Sequence, residues 1–273
     1  MKAIVSKLTD SEIIELYKNG TKCVLIAEKS GIPIRRVRSI LHKGGIVVKA
    51  GWEYLKINNQ NDDYFEKIDS EDKAYFLGLL YADGNVYLKR NRVQITLQNE
   101  DKYILELFAK KINYTGKFYQ DRGRYSKMII CSKKMVQDLI NLGCVPNKSL
   151  ILQFPNNQQV PKHLLRHFIR GYFDGDGCAT IGQVKENYRK FITCSFTSTK
   201  MFIEKLNELL LEFSIESKKF TPRYKNIKDS AGSNVINKKQ SVNNLYHLMY
   251  DDVQELQLVR KRDKFKEVEY ANK

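Results

Sequence analysis

The feature that most constrains this chain is a segment that occurs twice. The run Ala74-Tyr75-Phe76-Leu77-Gly78-Leu79-Leu80-Tyr81-Ala82-Asp83-Gly84 is matched in kind by His167-Phe168-Ile169-Arg170-Gly171-Tyr172-Phe173-Asp174-Gly175-Asp176-Gly177, and the final aspartates lie 93 positions apart. The stretches after the two copies correspond as well. Strand-like runs at 86–89 and 92–97 and a helical pattern over 99–112 come after the first; 179–184, 190–196 and 198–213 come after the second. Two further strands and a helix complete each half, at 116–119, 128–131 and 133–142, then at 218–224, 241–245 and 247–256. Each half therefore reads α-β-β-α-β-β-α, an α+β unit built on hairpins.

A duplicated unit needs a partner surface, and the repeated helix supplies one. Ala74, Gly78 and Ala82 recur every fourth position and share a face, as do Gly171 and Gly175. Glycine costs about 1 kcal/mol in a helix interior, so Gly78 and Gly171 point to helices packed backbone to backbone across a pseudo-twofold axis. Asp83 and Asp176 then fall side by side at the helix C-termini, each followed by a glycine suited to a left-handed cap. A carboxylate there faces the negative end of the helix dipole, and two such acids form a site that waits for cations. Paired carboxylates, completed by phosphate oxygens and water, suit octahedral Mg²⁺.

Charge narrows the partner. Lysine and arginine outnumber acids by 47 to 31, a net charge of +16, which favours a polyanionic partner, chiefly nucleic acid. A membrane is the competing polyanion, but apolar runs such as 75–82 are too short to span one and no secretory segment opens the chain. An intracellular, membrane-free protein is expected. The five scattered cysteines have no CxxC spacing, so reduced, mostly buried thiols are expected rather than a zinc site.

Residues 1–50 read as a small all-α module. Thr9 or Ser11 caps a first helix bearing Ile13, Ile14 and Leu16. A second helix buries Val24, Leu25 and Ala27. Gly31 makes a turn, and Pro33 opens a third helix with Val37, Ile40 and Leu41 inside. Arg35, Arg36, Arg38, His42 and Lys43 occupy its other faces. The pattern resembles a helix-turn-helix of the resolvase or homeodomain-like kind, whose last helix enters the major groove. Residues 51–66 read as a linker with a short strand over 52–57, leaving 67–159 and 160–273 as the two repeats.

The paired segments, with the lead-in Ile68-Asp69-Ser70-Glu71-Asp72-Lys73 and the stretch Val145-Pro146-Asn147-Lys148-Ser149, resemble the two signature motifs of single-chain LAGLIDADG homing endonucleases over about residues 64–270. Tyr81 stands where many members have an acid, and Arg170 replaces a small residue. The resemblance implies a monomer with internal pseudo-twofold symmetry that lays two curved antiparallel sheets along the major groove and cuts both strands. Asp83 and Asp176 would hold Mg²⁺, with the carbonyls of Ala82 and Gly175 as further ligands. Lys148 and Lys261, or Arg260 in place of the latter, are candidate basic residues beside the scissile phosphates. Gln98 and Thr197 are candidates to position water.

Base and phosphate contacts are expected from Tyr87, Lys89, Arg92, Gln94 and Thr96 in the first half, whose alternation points one way. The second-half candidates are Lys190, Thr193, Lys218, Lys219, Arg223, Lys225, Lys238 and Lys239. An RNA-splicing maturase and a transcription regulator on the same scaffold are the alternatives, and the intact acids favour a nuclease over both. An intein origin is not expected, since the sequence starts Met1-Lys2 and has no terminal His-Asn pair.

Overall fold

The computed structural model describes residues 6–48, 60–186, 189–224 and 230–268 and divides the chain into two compact units, Met1–Ile57 and Asn58–Lys273. In the smaller unit α1 (Asp10–Lys18) starts at a capping box, in which Thr9 and Glu12 satisfy each other's backbone N–H. Then come α2 (Cys23–Ser30) and α3 (Ile34–Lys43), joined by Gly31 in the left-handed conformation at φ 71°. The second helix departs from expectation. Cys23, Ile26 and Ser30 face inward at helical spacing, with Ala27 at their margin, while Val24 and Leu25 point to solvent. One residue of phase decides which apolar side chains are buried. Val37, Ile40 and Leu41 of α3 close this core, and Arg35, Arg36, Arg38, His42 and Lys43 are exposed. The expected strand at 52–57 lies outside the described residues.

In the larger unit the first half runs α4 (Glu71–Asp83), β1 (Gly84–Tyr87), β2 (Arg92–Gln98), α5 (Lys102–Lys111), β3 (Tyr119–Asp121), β4 (Tyr125–Cys131) and α6 (Lys133–Asn141). The second runs α7 (Leu165–Asp176), β5 (Gly177–Gln183), β6 (Lys190–Ser198), α8 (Lys200–Glu212), β7 (Thr221–Pro222), β8 (Gly232–Ser233), α9 (Lys239–Tyr250) and α10 (Val259–Lys266). The antiparallel sheets have matching orders, β1-β2-β4-β3 and β5-β6-β8-β7. Residues 60–66, expected as the end of a linker, belong to this unit, with Tyr64 and Phe65 buried.

The repeat is thus present, with one misplaced strand. Residues 241–245 are not the last strand of the second half but the middle of α9. Val242, Leu245 and Met249 recur at i, i+3 and i+7 on its buried face, a helical period. The strand's place is taken by two residues, Gly232–Ser233, and α10 is an addition that the repeat did not predict. Lys89, expected on a strand, sits in the 3-10 turn that joins β1 to β2.

The centre of the larger unit is the crossing of α4 and α7. Every residue of α4 from Ala74 to Tyr81 is buried, so this helix needs apolar neighbours on all sides. Its closest neighbour is backbone. A Cβ on Gly78 would overlap the Phe168 carbonyl oxygen and crowd the Tyr172 nitrogen, and one on Gly171 would do the same to Tyr75 and Leu79. These contacts are reciprocal, residue for equivalent residue, as a twofold relation requires. Around them the inner sheet faces supply Val86, Val93, Ile95, Leu97, Met128 and Ile130 on one side and Ala179, Ile192, Cys194 and Phe196 on the other.

Arg170 does not loosen this packing. It lies buried over the Tyr75 ring and donates to the carbonyls of Leu256 (2.8 Å) and Met249 (3.1 Å). Its charge is thereby hydrogen-bonded rather than orphaned. Among the described residues, no helix is long and apolar enough to cross a membrane.

Gly171→Ala places a methyl group where backbone already lies. Destabilisation of about 3 kcal/mol is expected from such overpacking, read as a lower urea midpoint with an unchanged slope.

Candidate active site at the crossing helix ends

Asp83 is the last residue of α4 and Asp176 the last of α7. The glycines after them are not left-handed caps: Gly84 (φ −76°, ψ 148°) and Gly177 (φ −83°, ψ 153°) are extended. Glycine is needed here for space. A Cβ would overlap the carbonyl of Leu80 or of Phe173, against which the chain folds as it passes directly from helix into strand. The acids therefore sit at the rigid joints between the crossing helices and the first strand of each sheet. Gly175 completes the approach, because a Cβ there would overlap Ala82 and come within 3.0 Å of an Asp83 carboxylate oxygen.

Burial and the neighbouring Asp176 charge push the Asp83 carboxyl up to about 6, against the pull of Lys261, Lys148 and Arg260. Asp176 is also raised, by burial, with Lys148 and Lys261 opposing. Both residues nonetheless keep solvent-exposed surface. Dense protein backs each carboxylate while its tip faces the open side, so the penalty is partly screened. Two adjoining carboxylates held at a cost in charge make a receptive place for a cation.

Two lysines occupy equivalent positions. Lys148 Nζ donates to the Gly84 carbonyl. Lys261 Nζ donates to the carbonyls of Phe173 (2.8 Å), Gly175 (3.0 Å) and Gly177 (2.6 Å). Each thus neutralises the negative end of a helix dipole next to an acid. Lys261 is buried and its three N–H bonds are all engaged, so it is not a surface phosphate clamp. Burial lowers its ammonium below the ordinary lysine value, with Asp174 and Asp83 opposing. The Gly175 carbonyl already accepts from Lys261, whereas Ala82 is half-buried beside Gly175. Arg260, the alternative to Lys261, turns away from the acids toward Asp101 and Glu100.

Gln98 and Thr197 are not equivalent. Gly84 pairs with Ile95, three residues before Gln98, while Gly177 pairs with Phe196, one residue before Thr197. The second hairpin is eight residues longer than the first, which displaces the offset read from the helices. Asp174 is a site residue that no sequence motif singled out. It is buried, accepts 2.8 Å hydrogen bonds from the Tyr75 hydroxyl and the Leu258 N–H, and is pushed up to about 6, chiefly by burial. Its one available signal was an acid inside a helix otherwise flanked by apolar residues.

On the first sheet Arg92, Gln94 and Thr96 share the open face with Tyr87, whose ring the Arg92 guanidinium overlies at 4.4 Å. Lys127 and Tyr125, missed in the sequence, extend this face, pairing with Thr96 and Gln98. The second sheet differs. Thr193 faces out with Cys178, Thr180, Ser195 and Thr197, a neutral surface. Lys190 has the opposite parity and shares its side with Ile192 and Cys194. Lys218 and Lys219 precede β7, and Arg223 comes just after it. Lys238 is paired with Glu216 just before α9, and Lys239 is the first residue of that helix. Lys225 lies outside the described residues. Among the described residues, the basic side chains of this half that face out with the sheet lie on its outer edge, where Lys219 and Arg223 are exposed beside Thr221, and not on the open face of β5 and β6. Of the thiols, Cys23, Cys144 and Cys194 are buried, Cys131 is half-buried and Cys178 exposed. Among the described residues no three His, Cys, Asp or Glu side chains converge as a ready-made metal cluster.

Residues 163–249 match the family model described as a LAGLIDADG-like domain. The chain is 29% identical over 168 residues to the DNA-directed RNA polymerase subunit Rpo1C of Methanocaldococcus jannaschii, covering 59% of this chain and 18% of that protein. It is 27% identical over 207 residues to an uncharacterized protein of the same organism, covering 69% of this chain and 72% of that protein. The chain spans less than a fifth of the length of the curated relatives that head these matches. Among solved structures it resembles the LAGLIDADG meganuclease I-AabMI bound to uncleaved DNA, with a TM-score of 0.50, 12% identity, and coverage of 72% of this chain and 90% of that one.

The raised carboxyl of Asp83 carries a sign for stability. The folded state holds this proton more tightly than the unfolded chain, whose carboxylate titrates near 3.8. The ionised site therefore costs stability above about pH 6, and the cost vanishes as pH falls through 6 toward 4. Asp83→Asn is expected to raise Tm by about 2–4 °C at pH 7.5, roughly 1 kcal/mol after screening. The gain should shrink toward pH 4 in thermal scans.

Proposed function

From a chain that carries a LAGLIDADG-like domain and has the LAGLIDADG meganuclease fold, we propose a site-specific, Mg²⁺-dependent endonuclease of double-stranded DNA. The observation that carries this reading is the pair Asp83 and Asp176. Each ends one of two crossing helices, each has a lysine on the adjoining backbone carbonyls, and each opens onto a sheet with a solvent-facing side. A net charge of +16 supplies the attraction to phosphate.

The residues present fit a hard divalent cation. Two carboxylates held next to each other against their mutual repulsion provide oxygen donors, and phosphate and water complete an octahedral shell. When bound, Mg²⁺ would supply charge stabilisation at the scissile phosphates and lower the cost of deprotonating water. The protein's own part is positioning. Gly78 and Gly171 bring the acids together, and Lys148 and Lys261 hold the carbonyls that flank them. Tyr87, Arg92, Gln94, Thr96 and Lys127 offer the first half of the duplex a polar, aromatic and basic wall. Thr193 with the neutral second face, and the rim residues Lys218, Lys219, Arg223 and Lys239, serve the other half. One chain supplies both acids, so a monomer is sufficient. In the smaller unit the arginines of α3 are exposed, and acting as a helix-turn-helix this helix would offer them to the major groove.

Asp83→Asn and Asp176→Asn are each expected to reduce cleavage of a selected target by about three orders of magnitude or more while affinity in Ca²⁺ stays within a few-fold. Cutting by both variants would refute the site. Removing residues 1–57 is expected to weaken binding and to flatten the dependence of log K on log salt. Unchanged affinity and slope would make that unit a bystander in DNA binding.

A further inference from the structure

Each lysine beside the acids lies on a segment fastened to the opposite half of the larger unit. Lys261 sits in the first turn of α10. There Arg260 forks onto the buried Asp101 with three contacts of 2.8–3.1 Å, the Tyr103 hydroxyl donates to the Gln257 carbonyl (2.7 Å), and Val259 N–H donates to Tyr103 (3.0 Å). Asp101 and Tyr103 belong to the first half. Lys148 sits in a tight turn closed by its own carbonyl accepting from Leu152 N–H (2.9 Å), and the Leu152 carbonyl accepts from the Thr199 hydroxyl. Thr199 belongs to the second half. The two anchors lie in corresponding connections: Asp101 ends the 3-10 turn that leads from β2 into α5, and Thr199 stands between β6 and α8 and caps that helix. Both are buried.

We propose that these are reciprocal straps. Arg260–Asp101 positions Lys261, Thr199–Leu152 positions Lys148, and each lysine is therefore set by the half that faces the other side of the ligand. Arg260, Asp101 and Thr199 are positioning residues: they act through the lysines, and the lysines act through the carbonyls next to Asp83 and Asp176. Such a link transmits displacement because the half-exposed Arg260 forks bidentately onto the buried Asp101, with Glu100 beside it at 3.3 Å. On the endonuclease reading, on which this consequence rests, seating of one sheet on its half-site adjusts the lysine at the other acid, so the two strand cuts become coupled.

The test uses the full chain and two readouts. The first is lysine acetylation by a soluble reagent, quantified residue by residue by mass spectrometry, which does not depend on cleavage. Arg260→Leu and Asp101→Asn should raise modification of Lys261 about tenfold, as expected for loss of a buried charge-assisted anchor, while leaving Lys148 unchanged. Thr199→Val should do the reverse, Thr199→Ser should restore most of the protection, and Arg260→Lys, which keeps the charge but loses the fork, should restore only part of it. The second readout is the rate of each cut on a duplex labelled on both strands. Arg260→Leu should slow one strand about tenfold or more relative to the other, since small misplacements at a reacting centre have effects of that order. Thr199→Val should slow the opposite strand. Unchanged protection in all variants, or joint exposure of both lysines in any one of them, overturns the straps whether or not the protein cuts. Selective exposure in the variants, together with a wild type that binds DNA without cutting either strand, supports the straps and rejects the endonuclease reading.

Discussion

Everything in the larger unit depends on how closely two helix backbones can approach. Side chains normally keep packed helices about 8–10 Å apart. At the α4–α7 crossing, Gly78 and Gly171 remove that spacer, and carbonyl oxygens of one helix fill the space where a Cβ of the other would stand. The cost of glycine within a helix is offset by dispersion contact along the whole crossing and by the aromatic residues around it, Tyr75, Phe76, Phe168 and Tyr172. With that distance fixed, the helix ends are fixed as well, and with them the separation of Asp83 and Asp176. The extended glycines 84 and 177 then pass the same geometry into the first strand of each sheet.

The electrostatics are a consequence of this packing. Bringing two acids together at the negative ends of two helices is unfavourable on every count: burial, like charge and dipole. The fold answers with Lys148 and Lys261, placed on backbone carbonyls and not directly on the carboxylates. That choice leaves the carboxylate tips open. Asp174 shows the contrasting treatment. It is two residues from Asp176 but turned inward, held by Tyr75 and the Leu258 N–H, and so ties the start of α10 to the crossing. Tyr81, at the corresponding position of the first half, bonds the Leu142 carbonyl at the end of α6, so the same helix position fastens a different segment by different chemistry.

The duplication, the crossing glycines and the paired acids are legible in the sequence because each is local or recurs. Period and parity are less secure. A window as short as 241–245 reads as a strand, whereas Val242, Leu245 and Met249 declare a helix over two turns. Lys190 shows the same limit on a strand, where a shift of one residue transfers a side chain to the other face. Long-range partners are not legible at all. Nothing adjacent to Arg260 in the chain announces Asp101, and nothing near Asp174 announces Tyr75. The hairpin between β5 and β6 is longer than its counterpart, which is why Gln98 and Thr197 match by sequence offset and not by position in their sheets.

Duplication supplied two walls, but they no longer match. One presents Tyr87, Arg92, Gln94, Thr96, Tyr125 and Lys127; the other presents threonine, serine and a cysteine thiol and keeps its charges at the margin. A duplex laid across them therefore meets a left hand and a right hand of different texture. Reversing its direction would exchange the Arg92 and Lys127 surface of the first sheet for the threonine and serine surface of β5 and β6. Symmetry survives where distances must be equal, at the crossing helices, and is relaxed on the open faces of the two sheets. On the endonuclease reading proposed above, an inverted repeat would gain little on such a surface, and a target with a direction would suit it.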